Sequence, residues 1–390
     1  MMRRGVLAVG LLSVVAGCAS GQAPASAVAT PASRTPALKT VFKDAFLVGA
    51  ALSPRQFTES DTVAAALVKA QFNAIAPENV LKWELVHPQP GVYRFAGPDR
   101  YVDFGKRNGM FVLGHTLVWH SQTPRWVFQD DSGKPLTRDA LLARMRDHIL
   151  TVVGRYKGRI DGWDVVNEAL NDDGTLRNSP WRRIIGDDYI AKAFEFAHEA
   201  DPSAQLNYND YSLEDPRKRA GAVALIKSLQ ARGIHVNSVG VQAHHQLDWP
   251  SFEAEDSTIV AFAALGVHVN FSELDVDVLP HATTGNTADV NVNVAANAKL
   301  NPYAAGLPDS TQLQLARRYA GMFAVYLKHR DVIDRVTLWG VADGVSWLNN
   351  WPVRGRTNYP LLFDRAYLPK PAFDSVVARA REQSSPKMIP

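Results

Sequence analysis

The sequence predicts an α/β fold, a single (β/α)8 TIM barrel that is preceded by a cleaved leader and a flexible tether. Three observations support this prediction. Short apolar or β-branched runs alternate with amphipathic segments, and eight such pairs follow residue 41. Strict alternation implies parallel strands joined by helical crossovers. Polar and aromatic residues follow nearly every strand, which is where barrels of this kind carry their functional groups.

The predicted elements occur in a regular order along the chain. The strands cover residues 46–51, 73–76, 111–115, 162–166, 205–208, 238–241, 268–271 and 336–339. The helices cover residues 58–70, 98–108, 138–156, 187–200, 215–232, 252–265, 311–329 and 371–380. The alternative is an open, doubly wound sheet, which normally carries a glycine-rich loop after its first strand. The sequence has neither that loop nor a phosphate-binding loop, so the closed barrel is favoured.

The composition is typical of a globular chain. Of its 390 residues, 46% are hydrophobic and 21% charged, which is enough apolar material for a folded core. The length alone would allow two or three domains, but one barrel often holds well over about 200 residues. The formal net charge of +3 is too small to favour a polyanion, and no nucleic-acid partner is expected. A single cysteine excludes an internal disulfide and a cysteine-based zinc site.

Residues 1–17 are predicted to be a signal peptide. Arg3 and Arg4 precede an apolar run over residues 6–16, which is shorter than the roughly 20 residues that cross a bilayer. The run ends in Val-Ala-Gly-Cys, which resembles a bacterial lipobox with Cys18 as the acylated residue. Ordinary cleavage just downstream is the alternative, and a twin-arginine signal fits the surrounding residues less well.

Residues 18–40 are rich in Ala, Pro, Ser and Thr, and they are predicted to be a linker before a folded domain at residues 41–385. If Cys18 is acylated, this lipid is the only membrane attachment that we expect. The protein is then exported and is an outer-membrane lipoprotein, facing the periplasm or the cell surface. A secreted or periplasmic protein is the alternative.

Polar and aromatic side chains follow predicted strands two to eight. They are Glu78, Asn79 and Lys82 after strand two, His115, Trp119 and Gln122 after strand three, Asn167 and Glu168 after strand four, Asn209 and Tyr211 after strand five, Gln242 and His244 after strand six, Glu273 and Asp275 after strand seven, and Trp339 and Trp347 at strand eight. Aromatic faces cover the apolar faces of sugar rings, while amides and charged groups bind hydroxyls. The set therefore predicts a cleft for a polysaccharide.

Glu168 and Glu273 are the candidate catalytic residues, because cleavage of a glycosidic bond uses two carboxyl groups. Strands four and seven lie across the barrel axis, so that their ends face each other over a bound chain. Carboxyl groups about 5–5.5 Å apart would retain the anomeric configuration, and a separation of about 6.5–9.5 Å would invert it. The alternative for either glutamate alone is a solvated or salt-bridged residue.

A metal site is the alternative interpretation for His115 and His120. These histidines are five positions apart on a predicted strand and loop, and they lack the helical spacing of a zinc site. We therefore expect no metal and no other cofactor.

Five segments resemble the glycoside hydrolase family 10 endo-β-1,4-xylanases, in the family's order and on the expected strands. They are FNAIAPENVLKWE at residues 72–84, GHTLVWHSQTPRW at 114–126, WDVVNEA at 163–169, FSELDV at 271–276 and LWGVADGVSW at 338–347. The resemblance covers residues from about 46 to 380. Ser272 departs from the family, which usually has threonine before the nucleophile.

The resemblance implies endo-hydrolysis of β-1,4-xylosidic linkages with retention of configuration by a double displacement. Glu168 is the implied acid/base and Glu273 the implied nucleophile. Xylan and xylo-oligosaccharides are the implied substrates, without a cofactor, and we expect a monomer.

The resemblance also implies roles for the other rim residues. Asn167, Gln242 and His244 would support the reacting sugar and the nucleophile, and Asn209 and Tyr211 would lie toward the aglycone side. The implied glycone-binding residues are Glu78, Asn79, Lys82, His115, Trp119, Gln122, Trp339 and Trp347.

Two physical expectations follow from these roles. An acid that is protonated at the start of the reaction needs a raised pKa, so Glu168 is expected to titrate above Glu273. His244 is expected to donate to Glu273, and Asp275 to hold that histidine in place. Residues 281–309 form a long segment after strand seven, which we expect to fold over the rim and to adjust which substituted xylans fit.

Two rival functions remain open at this stage. A cellulase-like barrel with the same two glutamates would prefer carboxymethyl cellulose to xylan. A tethered, inactive xylan-binding lipoprotein would bind xylotetraose without releasing sugar, and the presence of both glutamates argues against it.

Overall fold

The computed structural model describes residues 35–283 and 285–384. The predicted signal peptide, Cys18 and the linker up to residue 34 lie outside these residues and stay predictions. None of the described helices is long and apolar enough to cross a membrane.

Nine strands and twelve α-helices make up the described chain. The strands are β1 (Leu47–Leu52), β2 (Ala74–Pro77), β3 (Phe111–Trp119), β4 (Gly162–Asn167), β5 (Gln205–Asp210), β6 (Ser238–Val241), β7 (His244–Gln246), β8 (His268–Asp277) and β9 (Ile333–Leu338). The helices are α1 (Leu38–Val41), α2 (Pro54–Phe57), α3 (Thr62–Gln71), α4 (Trp83–Val86), α5 (Ala96–Arg107), α6 (Arg138–Arg155), α7 (Pro180–Ile185), α8 (Tyr189–Ala200), α9 (Pro216–Ala231), α10 (Phe252–Ala263), α11 (Asp309–Lys328) and α12 (Pro371–Ser384).

Eight of the strands close into a parallel barrel. β1 to β6 pair in sequence order, β6 pairs with β8, β8 with β9, and β9 with β1. The predicted strands four and seven, here β4 and β8, are therefore three places apart in the ring, and β9 rather than β8 stands opposite β4. Each of these eight strands corresponds to one of the predicted strands, so the predicted (β/α)8 barrel is confirmed. The C-terminal ends of parallel strands meet at one rim, and the predicted site residues are therefore brought together there.

The short strand β7 is an addition that the sequence did not predict. It pairs with β8 outside the barrel ring, and its first residue, His244, stands opposite Asp275 in the register. β7 therefore places a histidine beside a carboxylate at the rim.

Strands β3 and β8 extend well beyond their predicted ends at residues 115 and 271. After an irregularity at residues 115–118, β3 continues beside β4 and pairs Trp119 with Asn167. β8 likewise continues past Phe271 and pairs Leu274 with Leu338 of β9. Trp119, Glu273 and Asp275 therefore lie on strands, beyond the predicted strand ends.

The folded domain begins before the predicted residue 41. Leu38 in α1 is fully buried, and its main-chain N–H donates to the side-chain oxygen of Gln71 at 3.0 Å. Phe42 stacks on Phe46 with ring centroids 5.1 Å apart. Residues 38–40 therefore belong to the domain, and the linker boundary at residue 40 is corrected to residue 37, because apolar burial extends to Leu38.

The helix predicted at residues 58–70 begins later than predicted, at a side-chain cap. The segment at 58–70 begins as α3 at Thr62, because the side chain of Asp61 accepts a hydrogen bond from the N–H of Ala64 at 3.0 Å. A separate short helix, α2, precedes it and is started by a capping box at Ser53.

Gly114 on β3 is required by the close approach of a tryptophan. A Cβ atom at residue 114 would lie 2.2 Å from Cε3 of Trp163, whose indole is fully buried on β4. We expect Gly114→Ala to destabilise the protein by about 1–3 kcal/mol, the usual effect of overpacking a core. Denaturant unfolding, followed by far-ultraviolet circular dichroism, measures this change.

Gly154 in α6 is the matched control. A Cβ atom there meets no other atom within 4 Å, and the residue lies inside a helix. Gly154→Ala is expected to stabilise the protein by about 0.5–1 kcal/mol. Equal effects of the two substitutions would contradict the packing argument.

Candidate active site

A cavity opens at the C-terminal rim of the barrel. It is lined by Glu78, Asn79, Lys82, His115, Trp119, Gln122, Asn167, Glu168, Gln242, His244, Glu273, Ala288, Val290, Trp339, Val345 and Trp347. The predicted catalytic and sugar-binding residues all line this cavity except Asn209, Tyr211 and Asp275, which lie buried in contact with lining residues or their supports.

Glu168 follows β4 at a sharp change of backbone direction. Its φ is 56°, in the left-handed region, and its N–H donates to the carbonyl of Asn209 at 2.9 Å. Its carboxyl group accepts hydrogen bonds from Trp119 Nε1 at 2.9 Å and from Gln242 Nε2 at 3.1 Å. The amide of Asn167 donates to the same oxygen as Gln242, at 3.1 Å.

Burial raises the pKa of Glu168 to about 7, and the nearby charge of Asp210 acts in the same direction. The hydrogen bonds from Gln242 and Trp119 favour the ionised form and only partly oppose this shift. Glu168 is therefore a carboxyl group that retains its proton close to neutral pH.

Glu273 lies within β8 and has different partners. Asn209 Nδ2 donates to one carboxylate oxygen at 2.8 Å, and His244 Nε2 lies 3.3 Å from the other. Burial alone would raise the pKa of Glu273, but the hydrogen bond from His244 and the charges of His115 and His244 outweigh it, so the pKa is lowered. The expected order, with Glu168 titrating above Glu273, is thus present in the structure.

His244 is held between two carboxylates. Its Nδ1 lies 3.0 Å from Asp275 Oδ1, and the other oxygen of Asp275 accepts from Trp347 Nε1 at 2.7 Å. Burial disfavours the charged imidazole, but Asp275 and Glu273 together raise the pKa of His244 to about 10. The predicted arrangement of Glu273, His244 and Asp275 is therefore formed, with a protonated imidazole at its centre.

Three amides connect the two glutamates. Asn209 Nδ2, which donates to Glu273, also donates to Asn167 Oδ1 at 2.9 Å. Gln242 Nε2 lies 3.2 Å from the same Asn167 oxygen. The hydroxyl of Ser272 donates to Asn209 Oδ1 at 2.6 Å, so serine supplies the hydroxyl that the family's usual threonine would provide.

One end of the cavity is polar and carries a buried cation. Lys82 Nζ donates to Gln122 Oε1 at 2.9 Å and to Asn79 Oδ1 at 3.1 Å, and lies over the ring of Trp119 at 4.9 Å. Burial raises the pKa of Glu78 to about 7 and lowers that of Lys82. These donors and acceptors converge where a sugar's hydroxyl groups would bind.

Flat aromatic faces form another part of the wall. Trp347 stacks on Trp351 with ring centroids 4.5 Å apart, and Trp339 lies edge-on to His115 at 5.6 Å. His115 is fixed in turn by Asp164 on β4, at 3.0 Å from its Nδ1. Sequence reasoning missed Asp164, although an acidic residue inside an otherwise apolar strand was a usable signal.

Asn209 and Tyr211, predicted to lie toward the aglycone side, do not line the cavity. Asn209 is fully buried in the amide connection, and Tyr211 is 2% exposed. The Tyr211 hydroxyl accepts from Arg177 Nη2 at 3.0 Å, and Arg177 Nε donates to the carbonyl of Glu168 at 3.1 Å. Sequence reasoning also missed Arg177, because its position in a loop gives no local signal.

The segment predicted at residues 281–309 reaches the cavity. Its residues Ala288 and Val290 line the same space as both glutamates, and neither was named from the sequence. His120 lies beside this segment with both ring nitrogens buried and without a hydrogen bond, and burial lowers its pKa to about 4. Among residues 35–283 and 285–384, no group of three or more His, Cys, Asp or Glu side chains is placed to hold a metal ion.

Comparison with known proteins agrees with this geometry. The sequence model of glycosyl hydrolase family 10 matches residues 37–379, nearly the whole described chain. The chain belongs to glycosyl hydrolase family 10. It is therefore a glycoside hydrolase with a TIM-barrel catalytic domain.

Individual family 10 proteins are similar over nearly their full length. Endo-1,4-beta-xylanase A of Xylanibacter ruminicola is 46% identical over 350 residues, which cover 90% of this chain and 95% of that protein. The structure of a GH10 endoxylanase retrieved from sugarcane soil metagenome has 47% identity and a TM-score of 0.85, and the match covers 87% of this chain and 99% of that one. A mutant of the intracellular xylanase of Thermoanaerobacterium saccharolyticum, solved in complex with xylotriose, has 37% identity and a TM-score of 0.77, with 88% and 99% covered.

The charge of His244 in this family 10 site depends on Asp275. We expect Asp275→Asn to lower the pKa of His244 well below 10, because burial then acts on the imidazole with one carboxylate instead of two. Histidine ring NMR signals followed against pH measure this shift. Asp334→Asn removes the partner of the half-exposed His268 and is the control, since it should leave the titration of His244 unchanged. An unaltered His244 titration in Asp275→Asn would contradict the assignment.

Proposed function

We propose that this family 10 protein is an endo-1,4-β-xylanase that hydrolyses xylan and xylo-oligosaccharides with retention of anomeric configuration. Glu168 is the acid/base and Glu273 the nucleophile. The observation that carries the proposal is the pair of buried glutamates in one cavity with pKa values shifted in opposite directions. The similar xylanases, one of them in complex with xylotriose, support the substrate.

The first step needs one proton and one negative charge. Glu273, ionised and hydrogen-bonded by Asn209 and His244, attacks the anomeric carbon. Glu168 at the same time donates its proton to the glycosidic oxygen, and the shortened chain leaves. The sugar is then held as an ester on Glu273.

The second step reverses the role of Glu168. Esterification removes the negative charge of Glu273, which had helped to raise the pKa of Glu168. Glu168 therefore becomes a stronger acid, remains ionised, and takes a proton from the water that attacks the ester. Two inversions at the anomeric carbon give net retention.

The polar and aromatic side chains of the cavity suit an uncharged polysaccharide. Lys82, Asn79 and Gln122 offer donors and acceptors for hydroxyl groups, and Trp339 and Trp347 offer apolar faces. These residues need no cofactor for binding or for the proton transfers described above.

Substitution of the two glutamates separates their roles. Glu168→Ala is expected to lower xylan hydrolysis by about 100- to 10,000-fold, the usual contribution of a general acid. The burst of phenol release from an aryl xylobioside with an acidic phenol should persist, because that leaving group needs no proton. Glu273→Ala is expected to abolish both reactions. Initial rates on xylan and pre-steady-state bursts on the aryl glycoside measure the difference.

Glu195→Ala, at a partly exposed residue of α8 paired with Lys192, is the control for this pair. It should leave both reactions intact. An equal loss on both substrates in Glu168→Ala would refute the acid role. Proton NMR of the first sugar released tests retention separately, and an α-anomer as initial product would refute it.

The pH dependence follows from the two pKa shifts. Glu168 acts when protonated, so kcat/KM should fall as the pH rises through about 7. Glu273 acts when ionised, and its lowered pKa keeps it charged at mildly acidic pH, so the acidic decline should begin only below its usual range. Rates on a xylo-oligosaccharide measured against pH give this bell-shaped profile.

Glu78 also has a pKa of about 7 and must be distinguished from Glu168. In Glu78→Gln we expect weaker binding of the xylo-oligosaccharide but the same decline of kcat/KM at alkaline pH. With Glu168→Gln and the aryl glycoside, the alkaline decline should be absent. If the alkaline decline disappears in Glu78→Gln instead, the decline reports the titration of Glu78, and its assignment to Glu168 is wrong.

A further inference from the structure

Strand β7 carries His244, but few main-chain contacts hold it in place. Among the strands of the described chain, β7 pairs with β8 alone, over three residues. The residue before it, Ala243, has a φ of 61°, in the left-handed region. A residue with a side chain keeps this conformation only where its surroundings fix it. The position of β7 therefore depends on side-chain contacts as well as on its pairing with β8.

The neighbouring residue, His245, supplies such contacts. Successive side chains of a strand point to opposite faces, so His244 lines the cavity while His245 points away from it and is 1% exposed. Its Nε2 lies 2.8 Å from Oε1 of Glu214, in the segment after β5. Its Nδ1 lies 3.2 Å from Oε1 of Glu255 on α10 and 3.3 Å from Sδ of Met322 on α11. One imidazole thus connects β7 to three other parts of the domain.

These contacts belong to a buried cluster of His245, Glu214, Glu255 and Arg318, here called the anchor cluster. Arg318 Nη2 donates to Glu255 Oε1 at 3.3 Å, and each of the four residues is at most 6% exposed. The cluster lies between β7, α10 and α11, outside the cavity that contains both catalytic glutamates. The proposed reaction does not use these groups, so their burial calls for another role.

The anchor cluster carries no net charge near neutral pH. Burial lowers the pKa of His245 and raises that of Glu255 well above its usual range, so both side chains are neutral. The pKa of Glu214 is lowered, because His245 and Arg318 outweigh the effect of burial. The charges of Glu214 and Arg318 then compensate each other. The cluster therefore acts on its neighbours by contact rather than by its electric field.

The contact that depends on β7 has little room for displacement. His244 Nε2 lies 3.3 Å from Glu273 Oε2, at the upper limit for a hydrogen bond. Asp275 holds the Nδ1 side of the same ring at 3.0 Å, and its charge also acts on His245. Both carboxylates lie on β8, so a shift of β7 relative to β8 changes these distances directly.

We propose that His245, held by the anchor cluster, is a positioning residue that keeps β7 where His244 donates to Glu273. This inference rests on the proposed role of Glu273 as the nucleophile. His245 touches neither the substrate nor the reacting atoms, and it acts through His244.

Removing the hydrogen bond of His245 tests the proposal. In His245→Leu we expect kcat on xylotetraose to fall by about 3- to 10-fold, the effect of one weakened hydrogen bond. The acidic decline of kcat/KM should begin at higher pH, because Glu273 loses part of its stabilisation by His244. KM should change little, since the sugar-binding side chains are unaltered. Histidine ring NMR signals should show the pKa of His244 below its present value of about 10.

Matched variants separate positioning from stability. Glu214→Met removes the same hydrogen bond from its other partner and should shift the acidic decline in the same direction, and it serves where His245→Leu does not fold. His245→Gln retains an N–H donor for Glu214 and should keep kcat and the acidic decline close to those of the unsubstituted protein. Ile149→Val removes one buried methyl group from α6 and is the control for lost stability. It should leave the pH profile and the titration of His244 unchanged.

Three results would overturn the proposal. An unchanged acidic decline and an unchanged His244 titration in folded His245→Leu or Glu214→Met would show that His245 has only a structural role. A loss in His245→Gln equal to that in His245→Leu would show that the bond to Glu214 does not position β7. An equal shift in Ile149→Val would show that the change follows from lost stability.

Failure of the proposed function is distinguishable from these results. If the unsubstituted protein hydrolyses no xylan, the proposed function fails. The titration of His244 needs no substrate, so it then still tests the anchor cluster by itself.

Discussion

Two carboxyl groups lie buried in one cavity, and the free energy needed to ionise both of them there determines how the surrounding side chains must be arranged. Burial acts to raise the pKa of each glutamate, and the charge of Glu273 raises that of Glu168 further. This cost is offset at Glu273, where a protonated His244, the charge of His115 and the amide of Asn209 stabilise the carboxylate. Glu168 has only neutral donors at its carboxyl group, and it remains protonated. The two proposed roles therefore arise from the placement of two imidazoles, those of His244 and His115, near Glu273.

The barrel supplies the rigidity that this asymmetry requires. A contact of 3.3 Å between His244 and Glu273 is effective only if both side chains are fixed. Glu273 and Asp275 lie on the extended part of β8, and His244 lies on β7, which pairs with that same part. Main-chain hydrogen bonding thus sets the spacing of Glu273, His244 and Asp275. A loop at any of these positions would leave the protonation states of the glutamates dependent on its fluctuations.

The sequence predicts the barrel and the positions of both glutamates because each rests on a local pattern. Strands and helices alternate visibly, and parallel strands bring their C-terminal ends to one rim whatever the details of packing. β7 was not predicted, because three polar residues carry no alternation. Helix α1 was missed because only Leu38 distinguishes it from the linker composition. The contact between Arg177 and Asp289 joins residues that are far apart in sequence, and no local pattern contains it.

Arg177 contacts the main chain of the proposed acid, Glu168. A guanidinium group close to Glu168 would favour the ionised carboxylate and so lower the pKa that the acid needs. Arg177 instead donates to the main-chain carbonyl of Glu168 and places Nη1 against the carboxylate of Asp289. Asp289 thereby places a negative charge 3.4 Å from the guanidinium group. Burial alone would lower the pKa of Arg177, but the neighbouring Tyr211, Glu168 and Asp210 raise it, so the guanidinium stays charged while its shorter hydrogen bonds go to main-chain carbonyls and to Tyr211.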